Sequence, residues 1–180
     1  MSYPPSLSRM VAWELRLCLA ANRVGDRPGG RWLFTTVSRL GDGVFWYTLT
    51  LVLPLFYGSG ELRPVLHLLV VGLFCVTLYK GVKIGTTRLR PYQVEVRIRR
   101  GSPPLDQYSF PSGHTLHAVA FSIVAVGYHP MLVWLVGPFT GLVALSRVVL
   151  GLHYPSDVLG GAILGAAAAT ATLPLIGGFA

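Results

Sequence analysis

Three short stretches of the chain hold side chains suited to phosphate chemistry: KIGTTRLRP (Lys83 to Pro91), PSGH (Pro111 to His114) and SRVVLGLHYPSD (Ser146 to Asp157). Lys83, Arg90 and Arg147 offer ammonium and guanidinium donors that match phosphate oxygens, the arginines in a fixed fork. In PSGH the Ser112 hydroxyl is available and Gly113 lets backbone come close. The amides of Gly113 and His114 would open a helix whose positive dipole end favours an anion. A neutral imidazole at His153 can attack phosphorus, and the spacing to Asp157 lets a carboxylate reach back to the other ring nitrogen. Pro155 suits a first helical turn, which would keep Asp157 near a helix N-terminus. His114 is then free to give a proton to a departing oxygen. Each such charge costs about 2.5 to 3.5 kcal/mol at the centre of a bilayer, so their clustering predicts a common anionic ligand.

The elements that must carry these groups are membrane helices. With 52% hydrophobic and 12% charged residues and a mean hydropathy of +0.57, the chain reads as an integral membrane protein rather than a soluble domain. Backbone satisfaction in lipid favours one all-α bundle; the ten-residue alternation of a transmembrane barrel is missing. Five spans are expected, near residues 43–58, 65–82, 113–128, 130–149 and 156–177, which puts all three motifs on one face of the membrane. The first and third are short for a bilayer core of about 30 Å. Residues 1–30 carry Arg9, Glu14 and Arg16 within an apolar stretch, so they predict an interfacial helix rather than a secretory signal. Leu7, Met10, Val11, Trp13, Leu17 and Ala21 would face the acyl region while Arg9, Arg16 and Arg23 reach headgroups. Gly137, Gly141, Gly161 and Gly165 have the small-xxx-small spacing of packed membrane helices, and Pro138 is placed to kink the fourth span. Between the motifs, Val94, Val96 and Ile98 alternate with Glu95, Arg97 and Arg99, the period of a half-buried strand or of an extended segment on the membrane surface. Cys18 and Cys75 read as buried small apolar side chains.

The motifs together resemble the type 2 phosphatidic acid phosphatase superfamily, membrane lipid phosphate phosphatases that share a catalytic core with the vanadium-dependent haloperoxidases. The pattern is Lys, six residues, Arg-Pro; then Pro-Ser-Gly-His; then Ser-Arg, five residues, His, three residues, Asp. Lys83, Arg90-Pro91, Pro111 to His114, Ser146-Arg147, His153 and Asp157 meet it without a mismatch. The resemblance spans roughly residues 40 to 178 and implies one integral-membrane lipid phosphatase domain over residues 1–180, with the motifs in 83–157. It implies His153 as the nucleophile that forms a phosphohistidine, Asp157 as its orienting partner and His114 as the acid that later activates water. Lys83, Arg90, Ser112, Gly113 and Arg147 would bind the phosphate. No metal and no other cofactor is implied, since the cations do what magnesium does in other phosphoryl-transfer sites. Family members commonly have six spans, against the five expected here.

Substrate choice is not encoded in these motifs. A polyprenyl diphosphate, undecaprenyl diphosphate above all, is favoured because Arg97, Arg99 and Arg100 could meet a second phosphate. Phosphatidylglycerophosphate, phosphatidic acid and lipid A phosphates stay open, as does transfer of the phosphoryl group to a second lipid. A non-catalytic lipid-binding protein is disfavoured, because binding would need the cations but not a nucleophile with an acid. The partners expected are the bilayer and the lipid substrate, with no nucleic acid, in what the resemblance implies is a multi-pass protein of a bacterial inner membrane. Of the 15 lysines and arginines only Arg63 falls opposite the motifs, so the positive-inside bias predicts a cytoplasmic site, although polyprenyl diphosphate phosphatases of the family usually work on the outer side. His117, one turn past His114, reads as a packed polar residue ahead of a site residue; Arg88 as a phosphate or headgroup contact; His67 and His129 receive no role.

Overall fold

In the computed structural model, which describes residues 5–58, 60, 62–104 and 106–176, the regular elements are all helical. They are α1 (Pro5–Gly25), α2 (Pro28–Arg39), α3 (Phe45–Tyr57), α4 (Leu62–Gly85), the single turn α5 (Pro91–Val94), α6 (Gly113–Tyr128), α7 (Val133–Val149) and α8 (Pro155–Thr172). The four expected spans from residue 65 onward correspond to α4, α6, α7 with its preceding 3-10 turn Pro130–Leu132, and α8 with the following turn Leu173–Ile176. The first begins earlier than expected: α2 runs into α3 through a π-helical turn at Leu40–Val44 that kinks at Gly43 (φ 131°), and the two helices together cover Pro28–Tyr57. Charges at Arg39 and Asp42 and the glycines beside them interrupt the apolar run, which hides the continuity from a hydropathy reading. Pro28–Tyr57, Leu62–Gly85 and Pro130–Val149 are each long and apolar enough to cross a membrane. The 16 residues of α6 extend about 24 Å at 1.5 Å per residue.

Helix α6 is the axis of the bundle. Leu116, Ala118, Ala120 and Val124 are fully buried, against Val71 and Cys75 of α4, Val136 and Val143 of α7, and Ala168 and Ala169 of α8. The closest approach is to α8, where a Cβ on Gly161 would lie 2.5 Å from the Ser112 carbonyl oxygen and one on Gly165 would strike the Leu116 carbonyl. Gly137 and Gly141 do no such work: a Cβ at either meets nothing within 4 Å. Large apolar side chains point outward, with Leu55, Phe56 and Trp134 about four-fifths exposed. An apolar exterior around a core that also holds ionised groups is the arrangement suited to lipid rather than water.

Helix α1 lies across the motif end of the bundle. Met10, Trp13 and Leu17 are exposed, as an interfacial helix requires, while Glu14, Cys18 and Asn22 on the opposite face are buried. Cys75 is buried as well. The alternation at residues 94–99 does not make a strand. Glu95 ends α5, the chain turns, and only Ile98 of the three apolar residues is buried, while Val96 is 95% exposed. A strand there would need a partner edge, and the neighbouring elements offer only helices and loops.

Candidate functional site

The three motifs meet at one end of the bundle because each sits at a helix terminus pointing the same way: Lys83 at the end of α4, Gly113 and His114 at the start of α6, Arg147 at the end of α7, and Asp157 at the start of α8. A cavity of about 450 Å³ opens between them. Lys83, Arg90, Gly113, His114, Arg147 and His153 line it, as does His117. Ser112 and Asp157, both fully buried, stand behind that wall. The Ser112 hydroxyl lies 2.9 Å from Thr115 Oγ1 at the cap of α6, and its amide donates to the Asp157 carbonyl oxygen at 3.0 Å. The far side of the cavity is apolar, formed by Trp46 of α3, Leu68, Leu69, Leu73 and Val76 of α4, and Phe121 of α6.

His153 sits in the turn between α7 and α8, and that turn is held from three directions. The amides of Leu152 and His153 donate to the Arg147 carbonyl oxygen at 3.0 and 3.1 Å, Gly101 N donates to the Leu150 carbonyl oxygen at 3.0 Å, and Arg90 Nη1 donates to the Leu152 carbonyl oxygen at 2.8 Å. Gly151 is required in the turn: its φ is +71° and a Cβ would lie 2.6 Å from Ile98. Arg90 Nη1 is also 3.2 Å from His153 Nε2. A guanidinium has only donors to offer, so Nε2 accepts, its lone pair is directed at Arg90, which also lines the cavity, and the ring proton is on Nδ1. Asp157 Oδ2 is 3.7 Å from Nδ1, beyond hydrogen-bond length. The carboxylate is instead occupied by the Ser109 hydroxyl, by Tyr154 N at 2.7 Å and by Arg88 Nη1 at 2.7 Å. Burial pushes the His153 imidazole down to about 3, against the pull of Asp157 and with the help of the Arg147 and Arg90 charges.

Two carboxylates that no motif signals complete the cavity wall. Asp106, in the loop before PSGH, pairs with Lys83 and places Oδ1 2.8 Å from Arg90 Nη2. Burial works against its ionisation, but Lys83 and Arg90 hold the carboxyl below its usual range. Asp42, in the π-helical turn beside Gly43 (φ 131°), pairs with His114 Nε2. Three cations thus face two carboxylates around the cavity. Neither aspartate has a motif spacing in sequence; a buried excess of cations in the predicted site was the only available signal. Arg147 Nη1 donates to Ser38 of α2 at 2.5 Å.

Other expected contacts are placed elsewhere. Arg97 pairs with Glu95 at 2.8 Å, Arg99 with Asp26 at 3.2 Å, and Arg100 lies over the Tyr92 ring. None of the three lines the cavity, so, contrary to expectation, they do not form a second phosphate position there. Arg88 reaches Asp157 and Glu14 rather than the cavity. His117 does line it, its Nδ1 2.9 Å from the Gly113 carbonyl oxygen. His67 is buried at the other end of the bundle, 3.2 Å from the Tyr128 hydroxyl and 3.0 Å from that of Thr172.

A helical bundle with a cation-lined, apolar-walled cavity at one end suits an anion that carries an apolar chain, and comparison with known proteins supplies the class. Residues 62–178 match the model of the PAP2 superfamily. The chain belongs to that superfamily, whose phosphatases are hydrolases of lipid phosphates. It is similar to an undecaprenyl-diphosphatase of Sulfolobus acidocaldarius, 27% identical over 153 residues covering 84% of this chain and 72% of that protein. It is also similar to phosphatidylglycerophosphatase B of Bacillus subtilis, 33% identical over 147 residues covering 74% of this chain but only 62% of that protein. Among solved structures, LpxE of Aquifex aeolicus superposes with a TM-score of 0.75 at 24% identity, covering 89% of this chain and 94% of that one. A PAP2-type phosphatidylglycerolphosphate phosphatase from Bacillus subtilis superposes with a TM-score of 0.70 at 23% identity, covering 96% and 87%. At these identities the superpositions establish the shared fold.

Proposed function

We propose that this chain hydrolyses a membrane lipid phosphate through a covalent phosphohistidine at His153, without a metal. The observation that carries the reading is the placement of His153 on the cavity wall with Nε2 accepting from Arg90, a cation that phosphate oxygens can draw away, at the polar end of a cavity whose other wall is apolar. Lys83, Arg90 and Arg147 would take the phosphate oxygens, together with the amide end of α6. Nε2 attacks phosphorus, the bond to the lipid oxygen breaks, and His114 gives that oxygen its proton. His114 then takes a proton from water as the water oxygen attacks phosphorus. The P–N bond breaks and phosphate leaves. Asp157 would close on Nδ1 as the imidazole becomes cationic; such contacts are often long before substrate binds.

The lipid we favour is a polyprenyl diphosphate, supported by the relative that shares the larger part of this chain; phosphatidylglycerophosphate is the alternative, supported by the relative of higher identity. Purified protein in detergent with a chelator should release phosphate from undecaprenyl diphosphate faster than from phosphatidylglycerophosphate, and His153→Ala should abolish both. Reversed preference would assign the phospholipid; loss of wild-type activity on chelation would overturn the metal-free mechanism. With Pro28–Tyr57, α4, α6, α7 and α8 all spanning, the domain crosses five times and the site faces the cytoplasm. A reporter fused after Ala180 should then read as external, and a cytoplasmic signal would contradict the topology.

A further inference from the structure

Glu14 is an acidic residue on an amphipathic helix, yet it is only 1% exposed, and its partners belong to the candidate site. Its Oε2 accepts from Arg88 Nη2 at 2.6 Å, and its Oε1 accepts from Ser156 N at 2.9 Å. Ser156 N is one of the amides at the start of α8 that no carbonyl of the helix can satisfy. The other arm of the same guanidinium, Nη1, donates to Asp157 Oδ1 and to Ser156 Oγ, both at 2.7 Å. Its flat face lies 3.9 Å from the centre of the Tyr154 ring. Arg88 is thus split between two carboxylates, with one arm on each. The same face of α1 touches the site twice more: Cys18 Sγ lies 3.8 Å from the His153 carbonyl oxygen, and Asn22 Nδ2 donates to the Val149 carbonyl oxygen at 2.9 Å.

We propose that Glu14 is a positioning residue for phosphoryl transfer, acting through Arg88 on Asp157. This rests on the phosphohistidine reading above. The fork of an arginine matches both oxygens of one carboxylate. With Glu14 holding Nη2, Arg88 engages Asp157 through Oδ1 alone; Oδ2, which accepts from the Ser109 hydroxyl and from Tyr154 N, carries no guanidinium and is the oxygen 3.7 Å from His153 Nδ1. Without the Glu14 charge, Asp157 is the one carboxylate left to pair with this guanidinium, both arms are drawn toward it, and it becomes a poorer acceptor for Nδ1–H. The step that suffers is the one in which His153 gains positive charge, the attack that forms the P–N bond. Breakdown of the phosphoenzyme returns His153 to neutral, so a weaker Asp157 contact does not slow it.

The test is rapid-quench kinetics on the full-length protein with labelled lipid phosphate, comparing wild type, Glu14→Gln, Arg88→Gln and the double variant. Glu14→Gln should slow phosphoenzyme formation tenfold or more, with KM within about twofold and the rate of phosphoenzyme breakdown unchanged or raised. The double variant should be no slower than Arg88→Gln. Glu14→Asp, which keeps the charge, should recover part of the lost rate and serves in place of Glu14→Gln should the latter fail to fold. Equal slowing of formation and breakdown, or additive effects of the two substitutions, would overturn the proposal in favour of simple docking of α1. A wild-type-like Glu14→Gln beside an inactive His153→Ala would overturn it while leaving the phosphatase reading intact. A wild type that forms no phosphoenzyme would instead remove the mechanism on which it rests.

Discussion

Asp106 accepts from Lys83 and Arg90 at the place where the proposed mechanism puts phosphate oxygens, so an incoming anion competes with a carboxylate already there. Replacing Asp106 with Asn removes the competitor and leaves the cations. Inorganic phosphate should then inhibit about fivefold more tightly, the equivalent of roughly 1 kcal/mol for a partly exposed ion pair. Weaker inhibition in a competition assay would mean that Asp106 holds the cations in place. His153 makes a second prediction. Its imidazole, pushed down to about 3, stays neutral in the folded protein, whereas in the unfolded chain it protonates near 6.5. The unfolded state therefore binds more protons below pH 6.5, and stability that is complete above that pH is lost as pH falls. At pH 5 the loss is about 2 kcal/mol. Thermal unfolding in detergent should show the wild type losing stability between pH 7 and 5, and His153→Asn losing less; equal slopes would mean that another group governs acid stability.

Among the helices, the α6–α8 contact is the one that both holds the bundle and sets the site. Gly161 and Gly165 let the two backbones touch, and the same contact seats Ser112 against α8. Gly165→Ala should cost about 1 to 3 kcal/mol, the usual range for overpacking, while Gly141→Ala, whose Cβ would meet nothing within 4 Å, should stay within about 0.5 kcal/mol. Melting temperatures of the two variants in the same detergent decide it, and a neutral Gly165→Ala would mean that α8 slides without cost. Both glycine pairs have the same spacing in sequence. Which pair faces a neighbouring backbone depends on the rotation of α7 and α8 about their axes, and hydropathy carries no record of that rotation. The alternation at residues 94–99 misleads for a related reason: a period of two describes a strand only where another strand can pair with it, and the chain here turns beneath the α7–α8 connection with Ile98 alone tucked in.

Across the whole molecule the cavity links a charged end to an apolar wall between α3 and α4, where Tyr47 and Leu73 are about two-thirds exposed. Lipid tails would leave the site along that wall. Gly72 lines it, and a Cβ there already comes within 3.1 Å of the Phe121 ring. Gly72→Leu should raise KM for a long-chain lipid phosphate roughly tenfold, about 1.4 kcal/mol of lost tail contact, and change KM for a short-chain soluble phosphate by less than about twofold. Equal effects on both would place the tail elsewhere. The positions of Lys83, Arg90, Gly113, His114, Arg147 and His153 on one cavity were legible in the chain, because their motifs stand at helix ends and the order of apolar segments brings those ends to one side. Residue types and spacing also determine the all-α membrane class and the family. The tertiary structure alone decides that Ser112 and Asp157 stand behind the wall, that Arg97, Arg99 and Arg100 lie outside it, and that Asp42, Asp106 and Glu14 belong to the site's surroundings. The reason is physical: a motif records groups whose relative placement is fixed by local geometry at one helix end, whereas a counter-charge can come from any element that packs close enough, at any distance along the chain.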